Sequence, residues 1–449
     1  MNPSDNKLAT EPVGKLMFQL ALPAVVSQLV NMLYNIVDRI YIGHIPENGV
    51  AALTGLGLCF PVIMLVSAFA ALFGMGGAPQ AAIAMGRGSN EKAEQILGNC
   101  LSALLMTSVV LTGIFLAFGK PLLHLFGASA NTIDYALSYL RIYVCGTVFV
   151  QLALGLNMFI TTQGFAAKAM VTVLIGAVLN TILDPLFIFG FHMGVRGAAI
   201  ATVISQAVSA VWVFLFLTGR KTKLRIRLAN MKPDRSLLLS IMALGLSPFI
   251  MQSTESLLNI CFNSSLQRYG GDIAVGTMTI IASVSQLIIM PLQGITQGAQ
   301  PIISFNYGAG NTGRVKEASR LLIIVCSIYS AACCLLVESF PEAFIRLFNS
   351  KAELISMAAW AIRVYSAGIF MMGIQTSCQQ SFVALGQAKI SFFLACLRKL
   401  ILLIPLIYIL PRFLTNQVFA VFLAEPIADI SAALVTLSSF IVISKRLLR

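Results

Sequence analysis

The sequence predicts an all-α membrane protein: twelve transmembrane helices in two pseudo-symmetric six-helix lobes, with both termini cytoplasmic. Three observations predict it. The chain is 58% apolar and 10% charged, with mean hydropathy +0.87 over 449 residues. That composition describes a chain whose solvent is mostly lipid and excludes an ordinary soluble core. Twelve apolar stretches are long enough to cross a hydrocarbon layer, which takes about 20 residues of helix. The chain also repeats itself at an offset of 222 residues, so that 76–166 aligns without a gap on 298–388. Like-oriented repeats that face each other enclose a central cavity at mid-bilayer, the build of many secondary transporters.

The first half offers spans at about 16–42, 51–85, 94–118, 133–161, 169–190 and 195–218. The second half offers them at about 236–265, 273–304, 317–340, 353–384, 389–410 and 417–443. The repeat matches residues that punctuate structure: Gly76 with Gly298, Pro79 with Pro301, Gly86 with Gly308 and Gly88 with Gly310. It continues through Leu125-Phe126 with Leu347-Phe348, Arg141 with Arg363, Tyr143 with Tyr365, Gly146 with Gly368 and Gly164 with Gly386. Residues 1–218 are therefore read as the first lobe, 219–235 as a basic cytoplasmic linker and 236–449 as the second lobe.

A formal charge of +13 would suggest nucleic acid in a soluble protein. Here its distribution carries the meaning, because cytoplasmic loops retain Lys and Arg. With the N-terminus inside, nineteen of the thirty basic residues fall on inner segments, among them Lys7, Lys15, the seven of 219–236, Lys445, Arg446 and Arg449. Six, including Lys120, Arg196 and Lys351, fall outside. Five more, Arg39, Arg141, Arg363, Arg398 and Lys399, lie at helix ends or within helices. No nucleic-acid partner is expected. The linker's basic run can attract anionic lipid headgroups, but it reads first as a topology signal on a solvated connector.

The nine cysteines fall within predicted helices without a CxxC spacing, as small packing residues. His44, His124 and His192 show no metal-ligand spacing, and no nucleophile elbow, P-loop or dinucleotide motif appears. Residues 1–15 lack an apolar signal core, so the first helix is expected to be a retained span. No metal, no cofactor and no enzyme chemistry are expected.

Charge does occur where it is expensive, since an ionisable residue at a helix centre costs about 2.5–3.5 kcal/mol on insertion scales and normally faces a cavity or a partner. Asp38, Asp184, Glu255, Glu425 and Asp429 qualify. Asp38 on the first helix and Asp184 on the fifth both stop about two turns short of the outer boundary. Thr202 on the sixth helix reaches the same level, and Asn180 lies one turn below Asp184 on its face. Two carboxylates, an amide oxygen and a hydroxyl suit a small hard cation, and neighbouring carboxylates equally suit a shared proton. Arg39 adjoins Asp38 in sequence but points about 100° away. Asn157, near mid-membrane, is a further candidate for this set.

Other polar residues recur at helical spacing and mark expected cavity faces: Gln28, Asn31, Tyr34 and Asn35 on the first helix, Gln252, Glu255 and Asn259 on the seventh, Gln375 and Gln379 on the tenth, and Glu425 and Asp429 on the twelfth. The second-half acids, read as unpaired, would favour a positively charged substrate. At Asp184-Pro185 the repeat breaks, for Ile404-Pro405 stands there in the second half. The ion site is thus expected in the first lobe alone. Pro23 and Pro248 sit alike near the inner ends of helices one and seven, where a proline permits a bend.

These residues resemble the multidrug and toxic compound extrusion (MATE) transporters, in the bacterial MepA-like branch. The resemblance covers the whole chain and rests on PAVVSQLVNMLYNIVDRIYIG, NTILDPLFIFG, GVRGAAIATVISQ, GAQPIISFNYGAGN and AEPIADI. It implies two lobes forming a V in the bacterial plasma (inner) membrane and export of amphiphilic, often cationic compounds by a monomer, driven by inward Na⁺ or H⁺. It also implies a first-lobe cation site at Asp38, Asn180, Asp184 and Thr202, and a bend of the first helix at Pro23. Two departures stand out: the tenth helix carries no acid, and ITTQG precedes Gly164 where relatives often have an arginine. A flippase for a lipid or lipid-linked oligosaccharide would share the architecture, with a cavity rich in Arg and Lys. A membrane-embedded enzyme would need a constellation that the sequence lacks.

Overall fold

Each predicted apolar stretch falls on helix, and several of the stops and bends fall at the repeated glycines. The computed structural model describes residues 6–45, 49–346 and 352–448. Leu347, Phe348, Lys351 and Arg449, used in the repeat and in the charge distribution, lie outside the described residues. The first half contains α1 (Val13–Gly43), α2 (Gly49–Gly86), α3 (Asn90–Leu125), α4 (Ile133–Cys145 with Thr147–Thr162), α5 (Ala166–Pro185, prolonged by a π-helical turn at Leu186–Gly190) and α6 (Val195–Thr218). A single 74-residue helix, Arg235–Gly308, follows and loses helical geometry at Gly271, where φ is 65° and ψ is −160°. Its arms are α7 (235–270) and α8 (272–308). Then come α9 (Thr312–Ser339), α10 (Ala352–Ser366 with Ile369–Ala384), α11 (Ala388–Cys396, a π-helical Leu397–Leu403, then Ile404–Ile409) and α12 (Gln417–Leu447). No strand occurs among the described residues. Among them nine helices are long and apolar enough to cross a membrane, or eleven when each of two bent pairs counts as one span.

The two bent pairs are α4 and α10, which turn by 56° and 41° where Gly146 and Gly368 interrupt them. Those glycines are partners in the repeat. Gly88, Gly164, Gly310 and Gly386 likewise share one role as two repeat pairs: each has φ between 70° and 88°, a left-handed conformation that closes a helix end at little cost only for glycine.

Among the described residues the helices of each half pack mainly on one another, and the halves meet through α1, α2, α7 and α8. This seam is built on glycine. A Cβ at Gly245 would collide with the Leu72 carbonyl, one at Gly76 with the Ile241 carbonyl, and ones at Gly86 and Gly308 with Phe305 and Ile83. Gly294 and Gly298 press against Val25 and Ala21 of α1 in the same way. Without a hydrophobic force between helices in lipid, such backbone approach is what holds them. Phe69 and Phe249 add an edge-on ring contact across the seam, 4.9 Å between centroids. All these residues lie in the half of the bundle nearer the linker.

The linker is not the solvated connector that its charge suggests. Gln163 Oε1 accepts hydrogen bonds from Thr222 Oγ1, Lys223 N and Leu224 N at 2.7–2.9 Å. Arg227 pairs with Glu94 at 2.9 Å, and Asn99 Oδ1 accepts from Asp234 N at 2.7 Å. The linker's backbone polar groups thus find partners on α3 and α4, while Arg220 and Lys221 stay exposed. At the same end Lys223 Nζ donates to Asn6 Oδ1, and Arg314 reaches the carbonyls of Leu8 and Glu11.

Gly245→Val is expected to force α2 and α7 apart and cost roughly 1–3 kcal/mol, as overpacking does. Thermal unfolding of the detergent-purified protein measures it. Gly57→Ala, with nothing within 4 Å of its new Cβ, should leave the midpoint unchanged.

Candidate functional site

α1 and α5 lie side by side, and their contact brings together the two acids singled out on the first and fifth helices. Asp38 and Asp184 are buried, at 8% and 0% exposure, and their carboxyl groups come within hydrogen-bonding reach of each other. Asn180 Nδ2 donates to Asp184 Oδ2 at 2.5 Å. Asp38 Oδ1, Asp184 Oδ1 and Asn180 Oδ1 remain buried without a hydrogen-bond partner. Arg39 acts on Asp38 only through space and forms no ion pair with it: it is exposed and lies over the Phe60 ring, 5.7 Å from its centroid.

The register of α6 against α5 fixes what else reaches this level. The Gly197 backbone abuts Phe187 and Ile188, and Ser209 Oγ donates to the Thr172 carbonyl at 3.1 Å while facing Gly176. Antiparallel helices so registered bring Thr202 to the level of Leu183 and Asp184, and Ser205 to the level of Asn180. Thr202 Oγ1 donates to the Ala198 carbonyl, which leaves its lone pairs free. Ser205 Oγ is buried and has no partner. Sequence reasoning missed Ser205, although it follows Thr202 by three residues on the same face. Tyr34 lies close to both acids and Tyr139 to Asp38. Tyr139 in turn stacks on Tyr143 at 6.0 Å, so aromatic rings shield the pair. The result is an oxygen-rich cluster with two carboxyl groups and, among the described residues, no ion-paired base, able to hold a hard cation or a proton.

Asn157 does not join this set. Its amide spans α4 and α5, accepting from Thr172 Oγ1 at 2.9 Å and donating to the Ala169 carbonyl. Thr172 precedes Asp184 by 12 residues, about 18 Å of helix. One donor and one acceptor site of the Asn157 amide are engaged there.

The expected cavity residues divide. Gln28 is half-buried and donates across the seam to Gln297 at 3.4 Å. Asn31 is half-buried and Asn35 is exposed, its amide on the Asn31 carbonyl. In the second lobe Gln252 is half-buried, while Glu255 and Asn259 are exposed. Gln375 and Gln379 are buried, and Gln379 does not face a cavity: its Nε2 donates to Ser247 Oγ, Ser391 O and Ser391 Oγ, tying α7, α10 and α11 together. Pro23 and Pro248 lie inside continuous helices, and Ser27 Oγ donates to the Pro23 carbonyl at 2.8 Å.

The second-lobe acids are not unpaired as expected. Arg398 binds Asp429 through Nε at 2.6 Å and Glu425 through Nη2 at 3.1 Å. Lys399 pairs with Glu255 and donates to the Met251 carbonyl. Both cations sit in the π-helical part of α11, where a wider turn re-aims successive side chains, and such segments recur at functional sites. The sequence shows both residues but not that they meet these acids.

Comparison with known proteins matches this arrangement. Among the similar curated proteins are the multidrug export proteins MepA of Staphylococcus haemolyticus (strain JCSC1435) and of Staphylococcus aureus (strain N315), each 24% identical. The first covers 95% of this chain and 94% of its own length, the second 94% and 93%. Among solved structures, an outward-facing multidrug resistance MATE family transporter of the MOP superfamily aligns at 25% identity with a TM-score of 0.91, covering 98% of both chains. A MOP superfamily transporter from Pyrococcus furiosus aligns at 25% with a TM-score of 0.91, covering 99% of this chain and 98% of its own. A MATE in a bent conformation shares the fold at a TM-score of 0.92 and 24% identity, covering 100% and 98%. The MatE family model matches twice, over residues 23–186 and 248–409, once in each half. This chain belongs to the MatE family.

Proposed function

We propose that this protein exports amphiphilic, often cationic compounds from a bacterial cell by alternating access, coupled to the inward movement of H⁺ or Na⁺. It is a multi-pass membrane protein of a transporter family, and the finer reading is ours. Counting the arms on either side of Gly271 as separate spans gives twelve. Even numbers in each half leave both termini cytoplasmic and the halves alike in orientation, with lobes at 1–218 and 236–449 joined by 219–235. The glycine seam then closes the inner side, and the acid pair is reached from outside in the inner membrane. We further propose that the protein acts as a monomer.

The observation that carries the reading is the pair Asp38–Asp184: two buried carboxyl groups from separate helices, in contact, with no basic partner. Such a pair is costly in a low-dielectric setting unless a proton or a metal cation neutralises it. An ion that enters from outside lowers that cost and biases the lobes toward the inward state. Export needs only that ion and substrate prefer different states. The driving force suffices, because one charge crossing 100 mV supplies about 2.3 kcal/mol against about 1.4 kcal/mol for a tenfold concentration gradient. Pro23 is the proposed bending point of α1, and Pro248 its counterpart in α7.

A lipid or lipid-linked oligosaccharide flippase is the second reading, favoured by the cations Arg398 and Lys399. Carboxylates already neutralise both, so neither offers a free anion site. Saturable ethidium binding without binding of a fluorescent pyrophosphoryl lipid is the expected result. The reverse pattern selects the flippase.

Asp184→Asn should fold and insert but lose ethidium efflux driven by an imposed sodium or proton gradient in vesicles; retained gradient-driven efflux would refute the coupling site. Ser205→Ala should keep transport but raise the ion concentration for half-maximal rate by roughly threefold to tenfold, the worth of one hydrogen-bonding oxygen. Initial efflux rates at graded sodium and at graded pH measure this.

A further inference from the structure

The formal charges of the ion-pair cluster between α7, α11 and α12 do not cancel. Three carboxylates, Glu255, Glu425 and Asp429, face two cations, Arg398 and Lys399. The formal excess is one negative charge within a membrane-spanning bundle, where charge normally finds a partner. Two observations place it. Glu425 Oε2 is buried without a hydrogen-bond partner, while Oε1 is held by Arg398. Glu255 is the open member of the cluster, its side chain 53% exposed against 4% for its partner Lys399.

Glu255 is turned away from the exposed apolar face of α7. At about 100° per residue, the exposed apolar side chains of Leu239 and Leu257 lie roughly 160° round α7 from it. Leu258 and Phe262, three and seven residues on, are buried in the second-lobe core. Glu255 therefore stands on the protein-facing side of α7 and is still accessible, as a residue lining an internal opening is.

We propose that Glu255 anchors a monovalent organic cation in the second lobe, and that Lys399 is a built-in competitor that moves from Glu255 to Glu425 when the cation binds. The inference deepens the export reading and rests on it for the substrate class. With Glu255 matched by a bound cation, the other four charges balance: Arg398 and Lys399 against Glu425 and Asp429. Lys399 has somewhere to go, because Glu425 lies close enough to interact with it electrostatically and keeps one carboxylate oxygen free. Four rotatable bonds let the ammonium swing while its backbone stays put. The other groups facing Glu425 are Asp429 on its own helix, Arg398 on α11, Glu255 on α7 and Tyr365 on α10. Tethered cations thus occupy the second-lobe crevice where the first-lobe crevice relies on an exchangeable one, and they make the site selective. A neutral compound cannot take Glu255 from Lys399, whereas a cation can.

Ethidium and tetraphenylphosphonium titrations of the full-length purified protein in lipid nanodiscs, with thermal unfolding of each variant alongside, test this. Glu255→Gln should weaken binding by about tenfold, the scale of one lost ion pair. Glu425→Gln should also weaken it several-fold although Glu425 is buried away from the ligand, because Lys399 then has no second partner. Adding Lys399→Met to Glu425→Gln should restore affinity to the wild-type value or better. Lys399→Arg, which keeps the charge and grips Glu255 with two donors, should weaken binding even where the methionine variant fails to fold. Unchanged binding in Glu255→Gln, a double variant no tighter than Glu425→Gln alone, or unweakened binding in Lys399→Arg each overturns the proposal. The same ordering should hold in an Asp184→Asn background. If it holds while ion-driven efflux survives Asp184→Asn, the coupling reading fails and this one stands.

Discussion

Two carboxyl groups in contact, buried and without a basic partner, are the constraint around which the first lobe is organised. Asp38 and Asp184 cannot both stay ionised so close together at low dielectric without a cation between or beside them. The surrounding structure maintains that tension. Asn180 donates to one carboxylate, Arg39 is turned away onto Phe60, and tyrosines rather than lysines close the wall. A lysine in place of Tyr34 would satisfy the acids permanently and leave an external ion nothing to do. On the proposed coupling the site stays incomplete until an ion enters it, and its buried oxygens without partners are what such an ion would satisfy.

That incompleteness is useful only if the two lobes move against each other, and the glycine seam makes such movement feasible. Side chains interlocked across α2 and α7 would have to unpack to separate, whereas backbones meeting at Gly76, Gly245, Gly86 and Gly308 present smooth surfaces. Close approach gives dispersion contact without deep interdigitation. The polar ties at the same end are single hydrogen bonds, such as Gln28 with Gln297, Gln80 with the Ser240 carbonyl and Asn306 with the Leu8 carbonyl. Their net worth is about 1 kcal/mol each, within reach of what one transported ion supplies.

Much of the fold was legible because lipid imposes a simple rule: a span must be long, apolar and helical. The apolar runs therefore fall on helices to within a few residues, and the interruption expected between 265 and 273 lies at Gly271. The bends within α4 and α10 were not legible, because hydropathy does not register one glycine in a continuous apolar run. In the site, counting turns from the helix ends brought Asp38, Asp184, Asn180 and Thr202 to one level, since depth follows from sequence once boundaries are known. Rotation and cross-helix pairing do not. For that reason Asn157 was drawn toward the acids although it binds Thr172, Gln379 was set on a cavity face although it joins three helices, and Arg398 and Lys399 were left without partners. The docked linker escaped notice for a related reason: its charges describe the membrane, whereas its backbone partners lie on α3 and α4.

The divergence of the two lobes follows from one duplicated architecture. Both halves keep the glycines that shape helices, since a Cβ there is penalised wherever it occurs. The charges between helices are under no such symmetric penalty. The first lobe has acids on its first and fifth helices and no cation to match them; the second has acids on α7 and α12 and both cations on α11. Either solution satisfies electrostatics in a membrane, one with a mobile ion and one with tethered ones. A molecule with the same solution in both halves would hold two ion sites or none. On the proposed function, the first lobe takes up the driving ion while the second holds a charge arrangement that a foreign cation can disturb. That proposal assigns energy input and substrate choice to separate halves that meet at a glycine-lined seam.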